Sequence, residues 1–212
     1  MTRVTDSVHQ LDELVGGPSL LVGDELALVD AGLPGSEDAI FALIESLGRD
    51  RGEVRHIFVT HSDPDHIGSL AALVAATGAQ VYAQADEAEV VEGKRPNRGG
   101  DTVERAVSVD RIVAGGDVLP VHGGIRVVES FGHTTGHVSY LLDAGNVLFA
   151  GDALNNLEGL AGSMPQYTFD PDRAREAVKI LAALEPDAIC FGHGPPIAGG
   201  AAAKLQALAA SL

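Results

Sequence analysis

One cysteine in 212 residues rules out a disulfide framework within the chain. It is Cys190, set in the apolar run Ala188-Ile189-Cys190-Phe191, where it reads as a small inert thiol in a buried strand. Basic residues are scarce too: 14 Lys and Arg stand against 30 Asp and Glu, a formal net charge of −16. Such a chain repels a phosphate backbone and an anionic bilayer, which excludes nucleic acid and membrane as partners. The excess of carboxylates serves solubility or favours cations. No apolar run approaches the roughly 18 uninterrupted residues of a membrane span, and Met1 to Leu11 lacks the apolar stretch of a secretory leader, so the expected compartment is the cytoplasm. Solenoid-period repeats are absent, as are low-complexity tracts beyond an Ala-rich end. At 45% hydrophobic residues the chain can bury a substantial core, and we expect one domain over 1–212 acting on a small molecule, with a homo-oligomer left open.

What is present is an interleaving of strands and helices. Ser19–Val22 and Leu26–Asp30 flank the turn Gly23-Asp24 and read as a hairpin. Ser36 then caps a helix with Ile40, Leu43, Ile44 and Leu47 on one face. His56–Thr60 is an apolar strand running into His61-Ser62-Asp63-Pro64-Asp65-His66, followed by a helix carrying Ile67, Leu70, Leu73 and Val74 and closed by Gly78. Gln80–Ala83 is the next strand. The polar stretch 86–104 reads as irregular, with Lys94, Arg95 and Arg98 either a solvated cluster or a receptor for a substrate carboxylate or phosphate. Three strands follow, at Ile125–Val128, Val138–Leu142 and Asn146–Ala150, and the loop around Asp101 to Asp117 reads as the join between two layers. A loop from Ala153 to Phe169 leads to Asp170-Pro171, which opens a helix over Ala174, Ala177, Val178, Leu181 and Leu184, then come the strand Ala188–Phe191, a turn at 192–196 and a last helix with Leu205, Leu208 and Leu212. The pattern is mixed α/β with helices packed over sheets.

The chemistry lies where apolar strands stop. Strands ending near His61, Asp152 and His193, and another near His133 and His137, each run into a metal-capable side chain in a Gly-flanked turn. Ligands at one end of several packed strands converge, because the sheet fixes their spacing while the loops let them point inward. Nitrogen and oxygen donors without an available thiol favour zinc first, then manganese or iron. Two ions need about six or seven protein donors with a carboxylate between them, and Asp152 is the natural bridge. Asp63-Pro64-Asp65 taken alone is more often a helix cap than a ligand set, and it is His61 and His66 on either side that change the reading. Asp30, which ends its own strand, is a rim residue or a turn-forming Asp, and His9, His56 and His122 are surface or structural histidines.

Thr60-His61-Ser62-Asp63-Pro64-Asp65-His66, Gly132-His133-Thr134-Thr135-Gly136-His137, Gly151-Asp152 and Gly192-His193-Gly194, with the earlier Leu28–Gly32, resemble the successive motifs of the metallo-β-lactamase superfamily over nearly the whole chain. The resemblance implies an αββα sandwich with metals at one edge. It implies that His61, Asp63 and His133 hold one ion, that Asp65, His66 and His193 hold the second, that Asp152 bridges them, and that His137 supports. Asp63 stands where the commonest family pattern has a third histidine, a harder donor that shifts preference towards manganese or iron. The short stretch after His193 lacks the extra domain with which glyoxalase II-like members hold glutathione, and the resemblance is to the small, generic hydrolase branch.

The mechanism expected is attack of a metal-bound water, its pKa lowered towards about 7, on a thioester, ester or lactone carbonyl. Asp65 or Asp152 orients the nucleophile, Asn155 and Asn156 line the substrate pocket, and Tyr167 donates to the oxyanion or simply packs. The competing readings are an oxidoreductase with one iron, acting on a persulfide-like or other small substrate, and a catalytically idle binding module in which Asp63 has spoiled one site.

Overall fold

Alternation along the strands dictates the layering. In a computed structural model, which describes all residues 1–212, the first sheet contains β1 (Thr2–Arg3), β2 (Val8–Gln10), β3 (Ser19–Val22), β4 (Leu26–Val29), β5 (Val54–Phe58), β6 (Gln80–Gln84) and β7 (Arg111–Val113), in that order. β1 to β4 form an antiparallel meander, and β4 to β7 run parallel. The parallel part needs crossovers, supplied by α1 (Ser36–Ser46), by α2 (Pro64–Ile67) with α3 (Leu70–Thr77), and by α4 (Ala85–Val91). Leu20, Leu28, Ile57 and Val81 point to these helices and meet Ile40, Leu43, Ile44, Leu73 and Val91.

Their neighbours in sequence, Leu21, Val29, Phe58 and Tyr82, face the other way. There they meet the second sheet, ordered β14–β11–β10–β9–β8 and made of β8 (Val118–Leu119), β9 (Ile125–Glu129), β10 (Val138–Leu142), β11 (Val147–Phe149) and β14 (Ala188–Cys190). Val127, Tyr140, Leu142 and Phe149 fill the space between the sheets, while Leu141, Leu148 and Ile189 turn outward onto α5 (Pro171–Ala182) and α6 (Ala201–Ala210) through Val178, Leu181 and Leu205. A small hairpin of β12 (Leu154–Asn155) and β13 (Ala161–Gly162) lies beside α5. The result is the αββα sandwich, with the crossover between layers at β7–β8, inside the stretch read from sequence as the join. No helix is long and apolar enough to cross a membrane.

Three local expectations differ. Gly35, with φ of 93°, takes the cap position of α1 in place of Ser36, which is the helix's first residue. The helix expected after His66 is broken at Gly68-Ser69 into α2 and α3, where a Cβ on Gly68 would stand 2.4 Å from Pro34 Cδ. The stretch 86–104, read as irregular, begins with α4, whose buried face Ala88, Val90 and Val91 is too short for a helical period to stand out.

Candidate metal centre

The parallel strands set the site. His61, Asp152 and His193 each stand three residues past the last residue of β5, β11 and β14, and His133 four past β9. Their donor atoms meet at one end of the sandwich. Asp63, at the N-cap position of α2, makes no side-chain cap bond, and its carboxylate turns to the site. Asp63 Oδ2 is 3.6 Å from His61 Nε2 and 3.2 Å from His133 Nε2. On the other side, Asp65 Oδ2 is 3.3 Å from His193 Nε2 and 3.8 Å from His66 Nε2. Asp152 lies between, with Oδ1 3.2 Å from His66 Nε2 and Oδ2 3.1 Å from His193 Nε2 and 3.5 Å from His133 Nε2. The triads His61–Asp63–His133, Asp65–His66–His193 and His61–His66–Asp152 each keep their donors within 4.8 Å of one another.

The surroundings decide which histidine nitrogens are free. Asp30, at φ 60°, accepts from Thr60 N at 2.8 Å and Thr60 Oγ1 at 2.7 Å, and His66 Nδ1 donates to its Oδ2 at 2.8 Å. Having given its proton to Asp30, the Thr60 hydroxyl receives His61 Nδ1–H at 3.0 Å. His133 Nδ1 is 3.0 Å from Ser163 Oγ. Each of these rings therefore turns Nε2 inward, as the nitrogen left to bind an ion in the neutral ring. His137 does the opposite job: its Nε2 accepts the Asp152 backbone N–H at 3.0 Å, while Nδ1 is tied to Ser130 Oγ at 2.8 Å. That fixes the Asp152 turn, a supporting part and not a donor to the cluster.

The electrostatics are those of a cluster of cation-binding groups. Burial works against charge on Asp152, yet His66 and His193 outweigh it and hold the carboxyl well below the usual range. Burial likewise disfavours a charged His66, but the carboxylates of Asp152 and Asp30 push its pKa well above that of free imidazole. Hydrogen bonds to Asp152 and Asp65 raise His193 to about 9. Burial keeps His133 and His137 on the neutral side. Two observations test the fit of a metal. The buried atoms His61 Nε2, His66 Nε2 and Asp152 Oδ1 make no hydrogen bond, a costly state without a partner. Gly192 lines the same spot, and a Cβ there would fall 2.1 Å from Asp152 Oδ1 and 2.6 Å from His66 Cε1. Both fit a set of donors built around divalent ions.

The remaining candidates separate. Asn155 Nδ2 donates to Gly162 O at 2.6 Å, and Asn156 Nδ2 to Pro195 O at 2.7 Å. Their amides brace the β12–β13 hairpin and the His193 turn. Tyr167 is exposed, and its backbone carbonyl accepts a hydrogen bond from Arg98. Lys94 pairs with Glu92 and Arg95 with Glu89 on the surface, as a solvated cluster would. Arg98 departs from that reading, because its guanidinium enters the site and grips Asp63. Two supporting residues went unread in the sequence. Glu87 of α4, 2% exposed, accepts from Ser62 N, Ser62 Oγ, Thr134 Oγ1 and Gly136 N, stapling the His61 and His133 loops together. Gln10 of β2 exchanges hydrogen bonds with Phe191 N and O and donates to Gly194 O, holding the His193 turn.

Comparison with known proteins places this geometry. The sequence profile of the metallo-β-lactamase superfamily matches residues 14–193, and the chain belongs to that superfamily. It is 30% identical over 202 residues to the probable metallo-hydrolase YflN of Bacillus subtilis (strain 168), covering 81% of this chain and 76% of that one. It is 33% identical over 154 residues to a hydroxyacylglutathione hydrolase of Rhodobacter capsulatus, covering 71% of this chain and 52% of the relative. Among solved structures, the fold is similar to a metallo-β-lactamase with a HARLDQ motif from Cronobacter sakazakii, with a TM-score of 0.76 at 24% identity over 91% of this chain and 77% of that one. The metallo-β-lactamase MIM-1 from Novosphingobium pentaromativorans gives 0.72 at 28%, over 93% and 84%.

Proposed function

We propose that this chain is a metal-dependent hydrolase that cleaves a small thioester, ester or lactone at a two-ion centre, zinc being the first choice and manganese or iron the alternatives that the harder Asp63 donor favours. The observation that carries the reading is the set of inward-facing, unbonded Nε2 atoms of His61 and His66 beside the unbonded Oδ1 of Asp152. His61, Asp63 and His133 would hold one ion, Asp65, His66 and His193 the other, and Asp152 both. Such ions supply Lewis-acid polarisation of a carbonyl and an attacking water acidified to a pKa of about 7.

The chain's own groups do the rest. Burial opposes ionisation of Asp65, but His193 and His66 keep it a carboxylate, and its side chain is the most exposed of the three aspartates in the cluster. It is placed to accept a hydrogen from a water and to orient it towards a substrate carbonyl. Asp152, fixed through its backbone by His137, holds the two halves of the donor set at constant separation. The hydroxyacylglutathione hydrolase among the relatives supports the thioester as the first substrate class to try.

The test is elemental analysis of protein purified without added metal, joined to thioester, ester and lactone screens on wild type and Asp152→Ala. Zinc or manganese with turnover that falls about 100-fold or more in the variant is expected. Undiminished turnover in Asp152→Ala rules out the bridge, and stoichiometric mononuclear iron with oxygen consumption transfers the site to the oxidoreductase reading.

A further inference from the structure

Arg98 is the only lysine or arginine that contacts any of the seven donor residues. Its Nε donates to Asp63 Oδ1 at 3.0 Å and its Nη2 to Asp63 Oδ2, so the fork engages both carboxylate oxygens. The same Nη2 is 3.2 Å from His133 Nε2, and Nη1 donates to the carbonyls of His133, at 3.3 Å, and Tyr167. One guanidinium nitrogen thus touches two of the three donor atoms of the His61–Asp63–His133 triad. The third, His61 Nε2, is left without a hydrogen bond.

A zinc ion lies about 2.0 to 2.2 Å from nitrogen and oxygen donors. An ion that takes Asp63 Oδ2 and His133 Nε2 would lie against Nη2, which touches both of those atoms, and the two cations would repel each other. The Asp65–His66–His193 triad has no basic side chain against it. We propose that Arg98 is a built-in counter-cation of the first triad, which must withdraw before an ion enters, so that the two positions fill in order, with Asp65–His66–His193 first.

This inference rests on the metal reading above and deepens it. Asp63 and Arg98 form a unit, since a histidine at position 63 would offer the guanidinium no carboxylate to grip. Arg98 rides on the segment between α4 and β7, where its neighbour Asn97 and Val103 line a cavity of about 570 Å³ together with Pro64, Ile67 and Ala71.

The experiment is zinc titration of metal-free full-length protein by calorimetry with a competing chelator, for wild type, Arg98→Ala, Arg98→Gln and His61→Ala. Wild type should bind in two classes separated by about tenfold or more, the strength expected of a forked charge pair that must be broken. Both Arg98 variants should tighten the weaker class by about tenfold or more and leave the tighter one within about twofold. His61→Ala should abolish only the weaker class. Two equal classes in wild type, a weaker class unchanged or further weakened in both Arg98 variants, or loss of the tighter class in His61→Ala overturns the inference while leaving the metal centre in place. Failure of every form to bind zinc, manganese or iron overturns both. Circular dichroism of each variant separates these outcomes from misfolding, and the glutamine variant serves if alanine at 98 disorders the segment.

Discussion

Asp30 shows how a residue outside the donor set governs it. Its two oxygens take three donors, and two of these, His66 Nδ1 and the Thr60 hydroxyl that holds His61, decide which face of each ring is basic. Asp30→Asn keeps the size and tolerates the left-handed backbone, but its amide must turn N–H towards one of those donors. Zinc affinity should drop about 10- to 100-fold with the circular dichroism spectrum unchanged, and affinity equal to wild type would remove Asp30 from the site. Cys190 gives a second prediction at this scale. Burial pushes its thiol up to about 12, so the folded protein should not react with a thiol reagent at pH 8, whereas the denatured chain should react with one equivalent. The seven donor candidates were legible because they are rare residue types repeated in one context, the Gly-bearing end of an apolar strand. Asp30 and Arg98 were legible only as one of two readings each, and Glu87 and Gln10 not at all, because an acid after a strand, a basic residue in a polar loop, a Glu on a helix and a Gln in a strand are ordinary until the fold shows what they touch.

At the scale of elements, α4 matters more than its seven residues suggest. Its buried carboxylate, Glu87, is the common acceptor for two loops that carry His61 and His133, and each donor it serves is buried or nearly so. Glu87→Ala leaves two backbone N–H groups and two hydroxyls without their acceptor, a loss of about 2 to 5 kcal/mol by chemical denaturation. Glu87→Gln retains acceptor capacity and should lose less; equal stability of the alanine variant and wild type would show the staple to be idle. Sequence patterning located β3 to β6, β9 to β11, β14 and the long helices α1 and α5 through their apolar runs and spacing, but not the short strands β1, β2, β7, β8, β12 and β13. It missed α4 and the break between α2 and α3. α4 is shorter than two helical repeats, and the break arises from close approach of Pro34 to Gly68, a contact between distant residues.

For the molecule as a whole, the metal-free state carries a pH signature. The folded protein binds protons at His66 and His193 more tightly than the unfolded chain does, with His193 at about 9. Their stabilisation is complete below the unfolded value of about 6.5 and is lost as pH climbs through the folded values. The Tm of chelator-treated protein should therefore fall from about pH 6.5 to 9, while zinc-loaded protein stays flatter because the ion replaces those protons. A metal-free Tm that rises over this window would contradict the arrangement of carboxylates around the two rings. The sandwich itself was legible in the order of strands and helices. The pairing of β14 beside β11, which brings His193 next to Asp152, was not, since residues far apart in the chain have no spacing to read.

That wide separation has a consequence during synthesis. The donors are spread from position 61 to position 193, and the turn carrying the last of them is held by Gln10, near the start. A nascent chain on the ribosome has no complete cradle until its final quarter has emerged and β14 has slid in beside β11. The Asp65–His66–His193 triad could then be filled only once translation has passed its last donor, whereas the residues of the His61–Asp63–His133 triad emerge earlier.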